Sequence, residues 1–196
     1  MTHVDAHNGE ILWRYNDIHF AFEGDSEIDT QVYGLCDGVS TTTIPYLELD
    51  VSGAGSTTTD ENGDWYIAGG GGTATVSALL QGPYIDVFNY RGTDASFSGS
   101  ATSGVPFTVD FEEGNSRQDE RTTFDAINDV HDFFDLFDDT FGYSNVGINA
   151  YVNRTDGYCP GNAWWDGTIN FCDAGGSNNN TGELQQVVHH EFGHGV

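Results

Sequence analysis

Near the end of the chain, Val187-Val188-His189-His190-Glu191-Phe192-Gly193-His194-Gly195-Val196 carries two histidines four residues apart, with a glutamate directly after the first. On a helix, positions i and i+4 share a face, so the imidazoles of His190 and His194 reach one metal ion together. Two imidazoles suit zinc, and this His-Glu-x-x-His spacing places Glu191 toward the open side of the metal. There a carboxylate takes a proton from an attacking water, which is the chemistry of metal-assisted peptide hydrolysis. Structural zinc is a poor rival, because it favours four ligands with cysteines among them. The bland alternative is a helix that carries two histidines and no metal. His189 lies beside the motif but off its face, and reads as a structural side chain. A catalytic zinc takes three protein ligands, and only two residues follow His194, so the third ligand is expected beyond Val196. On that reading the 196-residue chain binds zinc weakly and by itself hydrolyses nothing well.

The rest of the chain must position this motif. At 196 residues, 37% hydrophobic and 13% aromatic, it is long and apolar enough for one large domain or two small ones. Thirty-one acidic residues stand against five basic ones, all arginines, for a net charge of −26. Nucleic acid and anionic membrane surfaces require a positive footprint, so neither is an expected partner. No apolar run is long enough to span a bilayer, and no signal peptide is visible. Three cysteines are present. Cys159 and Cys172 flank a stretch patterned like a hairpin and are candidates for a disulfide across its base, which implies an oxidising compartment. Cys36 is left over, either free and buried or paired with something beyond Val196.

Residues 3–18 read as a hairpin whose turn is His7-Asn8-Gly9-Glu10, since Asn-Gly is a strong hairpin signal. Residues 19–30 are polar and acidic and read as a linker. From 31 to 112 the pattern is all-β. Leu47–Val51 and Val105–Phe111 alternate, and Trp65–Ile67, Ala74–Leu79 and Ile85–Phe88 read as strands between turns such as Asp60-Glu61-Asn62-Gly63-Asp64. About seven short strands at this spacing predict a β-sandwich, with Pro106 on an edge. Asp119 to Thr140 is helical, with Phe124, Ile127, Val130, His131, Phe134 and Phe137 as its apolar stripe and Asp125, Asp129, Asp132 and Asp135 on a solvated face. His131 reads as a packed histidine. Residues 146–152 and 167–171 return to strand, Gly175–Asn180 is a loop, and Asn180 with Glu183 reads as the cap of the last helix.

With the motif placed on a helix, Asn162-Ala163-Trp164-Trp165-Asp166-Gly167 resembles the Asn-Ala-aromatic-aromatic-x-Gly strand of thermolysin- and fungalysin-type zinc metallopeptidases. The helix around Ile127–Phe134, followed by Phe141-Gly142-Tyr143, is similar to that family's first long helix and its exit. Val4–Leu12 resembles the last hairpin of the propeptide that precedes such enzymes, and Thr59–Ile67 the turn of carboxypeptidase-regulatory-like sandwiches. The resemblance implies an edge strand at Asn162 and Ala163 that binds the substrate backbone, a protein or peptide substrate, secretion, and inhibition by the chain's own propeptide. The family's third zinc ligand, a glutamate on the next helix, falls beyond the chain, as does its downstream histidine. Calcium is a further expected cofactor of some members, but the acidic ligand they carry one turn before the first zinc histidine is Gln186 here. The turn at Asp60–Asp64 offers carboxylates to calcium without the EF-hand order and reads as a plain turn.

The sequence thus predicts an α+β protein: the end of a propeptide hairpin (1–18), a linker (19–30), a β-sandwich (31–112), and the front half of a zincin catalytic domain (113–196). It predicts a secreted zinc endopeptidase with Glu191 as general base, and processing between Ile18 and Val32. Two other readings exist. A non-catalytic β-sandwich that binds a surface or glycan would carry the histidines as a relic; a metzincin would place a third histidine soon after Gly195. The surface charge yields its own expectation. Salt screens self-repulsion among 31 carboxylates, so the melting temperature should rise between low and molar sodium chloride; a flat melting curve across that range removes the argument.

Overall fold

A computed structural model describes residues 2–4, 7, 11–14, 20–31, 36–137 and 146–195, with the two strands at 2–4 and 11–14 described by backbone alone. In chain order its strands are β1 (Thr2–Val4), β2 (Ile11–Arg14), β3 (Ala21–Gln31), β4 (Val39–Thr43), β5 (Glu48–Val51), β6 (Gly55–Thr58), β7 (Asp64–Ala68), β8 (Thr73–Leu79), β9 (Ile85–Asn89), β10 (Ser96–Thr102) and β11 (Val109–Phe111). Helix α1 (Gln118–Asp135) follows, then β12 (Ile148–Arg154), β13 (Ala163–Trp165), β14 (Ile169–Cys172), a 3-10 turn (Thr181–Glu183) and helix α2 (Gln185–Gly195). The protein is therefore mixed α+β, mostly strands in several sheets, with two α-helices among the described residues.

β1 and β2 pair antiparallel, as expected of a hairpin, with His3 opposite Trp13; of the expected turn only His7 lies among the described residues. One sheet runs β10-β8-β5-β6 and is antiparallel throughout. A second is built on β3, with β11 parallel on one side and β4 antiparallel on the other, while the first half of β3 pairs β7. The third, β13-β14-β12-β9, is parallel except for its edge pair β13–β14.

Several expectations fail here. The supposed linker at 19–30 holds β3 from Ala21 onward. Its inward positions include Ser26 and Thr30, both buried, so the alternation that marks a strand is half polar and hidden from a hydrophobicity reading. Ser26 is accommodated because its hydroxyl lies 2.9 and 3.0 Å from the carbonyl oxygens of Ile44 and Gly63 and donates there. The same strand fills most of the expected processing window, Ile18 to Val32, and a backbone hydrogen-bonded to neighbours is a poor protease substrate. Second, the proposed boundary at 112/113 is crossed by a sheet. β9, assigned to the sandwich, pairs in parallel with β12 along Ile148↔Ile85 to Val152↔Asn89. One hydrophobic cluster accordingly runs from Phe22, Leu49 and Val76 through Phe111 and Ile127 to Phe171, Val188 and Phe192. Strand β11 also covers only Val109–Phe111, leaving Pro106 outside it, because proline has no N–H to give a ladder.

The third failure concerns α1. The helix is buried on almost every side of its first three turns, Asp119 to Asn128 being inaccessible along their whole run. Asp125, read as solvated, is 6% exposed, because β3 covers the face that a linker would have left open. Asp129 and Asp135 stay exposed and Asp132 half-exposed, as a solvated face requires; Phe137, read as core, is 74% exposed. His131 is packed, its ring stacked on Tyr84 at 3.5 Å between centroids, and its Nδ1 is 3.1 Å from Asp132 Oδ1. The expected helix exit at Phe141-Gly142-Tyr143 lies outside the described residues. Cys36 is free and exposed rather than buried.

Burial raises the Asp125 carboxyl to about 7, with the nearby Asp129 charge adding to the effect and a hydrogen bond from Thr30 opposing it. A carboxyl raised in the folded state costs no stability below its unfolded value near 4. The cost grows as pH climbs through the interval up to 7, where only the unfolded chain has ionised, and stays constant above. Asp125→Asn should therefore stabilise the protein at pH 8, by at most about 4 kcal/mol, with the gain vanishing toward pH 4. Urea unfolding of both proteins at pH 4, 6 and 8 measures it, and a pH-independent difference refutes the assignment.

Candidate metal site

Helix α2 starts later than its sequence suggests. Asn180 Oδ1 accepts from the Gly182 amide and so caps the 3-10 turn at 181–183, not α2. Leu184 is extended, and α2 begins at Gln185 with the Val187 and Val188 amides donating to the Leu184 carbonyl. The cap was misassigned because a one-turn helix and the start of a longer one present the same Asn-x-x-Glu pattern. Val188, Phe192 and Gly195 form the buried stripe of α2, and Phe192 meets Phe134 of α1 at 5.9 Å between ring centroids. With that stripe fixed, i and i+4 geometry turns His190 and His194 outward on one face, both exposed, with Glu191 buried at the border between the two faces.

The Nε2 atoms of His190 and His194 are 3.1 Å apart, and the two rings stand nearly perpendicular at 86°. Two nitrogens about 2.0–2.1 Å from one tetrahedral zinc lie about 3.3 Å from each other, so the pair is already spaced to share an ion. Ligand atoms of His190, Glu191 and His194 all fall within 4.8 Å of one another. Among the described residues this is the one group of three or more histidines, cysteines or acidic residues close enough to hold a metal. Among the described residues no further His, Cys or acidic side chain joins this group. At the acidic turn, Asp60 Oδ1 accepts from the amides of Asn62 and Asp64 (2.8 and 3.0 Å), so this carboxylate holds its own loop.

Facing the histidines across a cleft of about 450 Å³ are Asn162, Ala163, Trp164 and Trp165. The structure thus brings together the His190/Glu191/His194 motif and the Asn162–Ala163 strand. β13 is the edge of its sheet, bonded only to β14. The Cys172 amide donates to the Asn162 carbonyl at 3.3 Å, so Asn162 faces β14 and, by the alternation of an antiparallel ladder, the N–H and C=O of Ala163 face the open edge. Exposed groups of this kind accept an added strand.

Cys159 and Cys172 are joined by a disulfide, Cα atoms 5.4 Å apart, which ties the loop before β13 to the last residue of β14. His189 is half-buried against α1: its ring bonds to the Ala126 backbone and faces Asp129, and burial lowers its pKa against both of those effects. Its role is to dock α2 on α1. Sequence reasoning passed over Thr181 and Arg154. Thr181 offered only a sequon, Asn179-Asn180-Thr181, while its hydroxyl accepts from the Cys172 amide at 2.9 Å and lies 3.0 Å from the Asn162 carbonyl, joining the approach to α2 with the start of β13. Trp165, the second aromatic of the Asn-Ala strand, lines the cleft and packs under Gly195.

No known family profile matches this chain, and no curated protein is similar to it in sequence.

Two glycines of α2 separate packing from helix propensity. A Cβ on Gly195 would stand 2.9 Å from the Trp165 ring, whereas one on Gly193 meets nothing within 4 Å. Gly193→Ala should stabilise by roughly 0.5–1 kcal/mol. Gly195→Ala should destabilise by about 1–3 kcal/mol and shift the tryptophan emission, since the indole must move. Urea unfolding followed by fluorescence tests both; equal effects at the two positions would mean that α2 does not lie against β13.

Proposed function

We propose that this chain carries the active half-site of a secreted zinc endopeptidase, with the described residues comprising a β-rich, sandwich-like block and the front half of a zincin-type catalytic domain. The observation that carries the reading is the shared cleft: two imidazole nitrogens 3.1 Å apart, a buried carboxylate between them in sequence, and an outward backbone edge opposite. His190 and His194 would hold zinc through Nε2, with the third protein ligand coming from outside the described residues. Bound there, zinc would supply Lewis acidity toward a water and the scissile carbonyl. Glu191, buried beside the two histidines, would take the proton of the attacking water and pass it to the leaving amine. Ala163 pairs the peptide backbone as an added strand, and Asn162 stands at the strand's entrance. The disulfide fits export to an oxidising compartment, and the N-terminal hairpin fits the end of an inhibitory propeptide.

The test begins with metal. Zinc titrated calorimetrically into the 196-residue chain should bind at one site. His190→Ala and His194→Ala should each abolish that site, while Glu191→Gln should retain it. In any form of the protein whose zinc site is completed by a third ligand, Glu191→Gln should lower kcat on a peptide substrate by roughly 10²–10⁴. Zinc binding that survives loss of both histidines would sink the reading, as would full activity without Glu191.

A further inference from the structure

We propose that Arg154 is a positioning residue for peptide binding: it grips Trp164 and Asn170 from the side of β13 away from α2 and thereby sets the edge that the peptide pairs with. The inference rests on the reading of β13 as the peptide-binding edge. Arg154 closes β12, and its side chain is 15% exposed in a chain with only five basic residues. It is held on every side. Nε and Nη2 fork onto the two oxygens of Asp156 at 2.9 and 3.1 Å, and Nη1 donates to Asn170 Oδ1. The guanidinium carbon sits 4.2 Å from the Tyr90 ring centroid and 4.8 Å from that of Trp164, so the cation is sandwiched between two aromatic faces. Tyr90 completes the frame by donating its hydroxyl to Asp156 Oδ2 at 2.9 Å.

From the arginine the constraint reaches the edge by two routes. Asn170, fully buried, is paired opposite Trp164 in the β13–β14 ladder, and its Nδ2 lies 3.4 Å from the Trp164 carbonyl and 3.2 Å from Asp166 Oδ1 and the Thr168 carbonyl. An amide whose oxygen is taken by Arg154 must present its NH₂ to the strand and turn, so the guanidinium decides the orientation of Asn170. The second route is the indole. Trp164 is boxed by Arg154, by Tyr158 at 5.4 Å between centroids, and by Gly157, where any Cβ would come within 3.0 Å of the ring; its Nε1 donates to Asp166 Oδ2. Trp164 is the residue between Ala163 and Trp165, so fixing its side chain and carbonyl fixes the plane in which Ala163 offers its N–H and C=O. A three-residue edge strand has little ladder of its own to resist rotation. Arg154 touches neither the histidines nor Glu191, which assigns it to peptide alignment and not to metal binding.

The experiment titrates an N-blocked tetrapeptide amide of large apolar residues into the 196-residue chain, with and without zinc, following tryptophan fluorescence, beside a calorimetric zinc titration. Arg154→Ala should weaken peptide binding about tenfold or more and leave the zinc Kd within about twofold. Arg154→Lys should recover little, since an ammonium cannot fork onto Asp156 while stacking between two rings, and it serves if the alanine variant fails to fold. Tyr90→Phe, which keeps the ring and removes one hydrogen bond, should cost much less. Peptide affinity unchanged in both arginine variants overturns the proposal, as does a parallel loss of zinc and peptide affinity, which would mark a general structural role. A wild-type chain that binds zinc but no peptide overturns it together with the edge-strand reading. A chain that binds peptide but no zinc overturns the metal reading alone and leaves the arginine comparison decisive.

Discussion

Thr181 Oγ1 sits among three backbone groups: it accepts from the Cys172 amide and lies within 3.3 Å of the carbonyl oxygens of Asn162 and Cys172. The residues on either side continue the junction. Asn180 donates to Asp119 at the start of α1, and the Gly182 carbonyl accepts from Thr123 one turn further along that helix. Three consecutive residues thus bond to the β13–β14 hairpin and to α1 immediately before the chain enters α2. The two sides of the cleft are an edge strand and a helix face that meet where Trp165 packs under Gly195, and their separation is also set by this junction and by the Val188–Phe192 seam on α1. Because Thr181 and Asn180 are both buried, these bonds operate out of competition with water, where an unmet partner costs about 1–3 kcal/mol.

How much of this was legible depends on the period of the pattern. The motif helix could be read because two histidines at i and i+4 specify a face whatever surrounds them, and the Asn162–Ala163 strand because its aromatic and turn residues are distinctive. β3 could not, since Ser26 and Thr30 occupy core positions where apolar residues would be expected and are satisfied by partners distant in sequence. That one omission propagated: without β3 the acidic side of α1 had nothing to face but solvent, and Asp125 was misplaced with it. The site residues found only in the structure share a property. Thr181 and Arg154 act in part through bonds to groups 9 to 19 residues away, a distance at which neither helical nor strand periodicity leaves a trace.

The arginines show how a chain of this charge spends its few cations. Arg117 bonds Asp119 and Asp173, Arg121 donates to the Asp29 carbonyl and the Ser116 carbonyl, and Arg154 forks onto Asp156. Each lies where two elements meet, and Arg117 and Arg121 serve the start of α1 where backbone N–H groups and buried carboxylates crowd together. Glu120 is met without a cation: it accepts from the amides of Arg117 and Ala95, so a buried acid is satisfied by an unpaired donor at the helix start and by the loop residue that leads into β10.

The pairing of β9 with β12 has a consequence for how such a chain can be inherited. A block that closes on itself can be duplicated, lost or exchanged between genes without harm to its neighbours. Here the β-rich block lends a strand to the sheet whose far edge borders the histidines, and Ile85 and Val87 fill the same core as Ile127 and Phe171. Cutting at residue 112 would strand β9 on the wrong side and open a hydrophobic flank beside β12. Any viable exchange of this cleft between proteins must therefore carry the strands before residue 112 along with it, so that the scaffold and the cleft move as one unit.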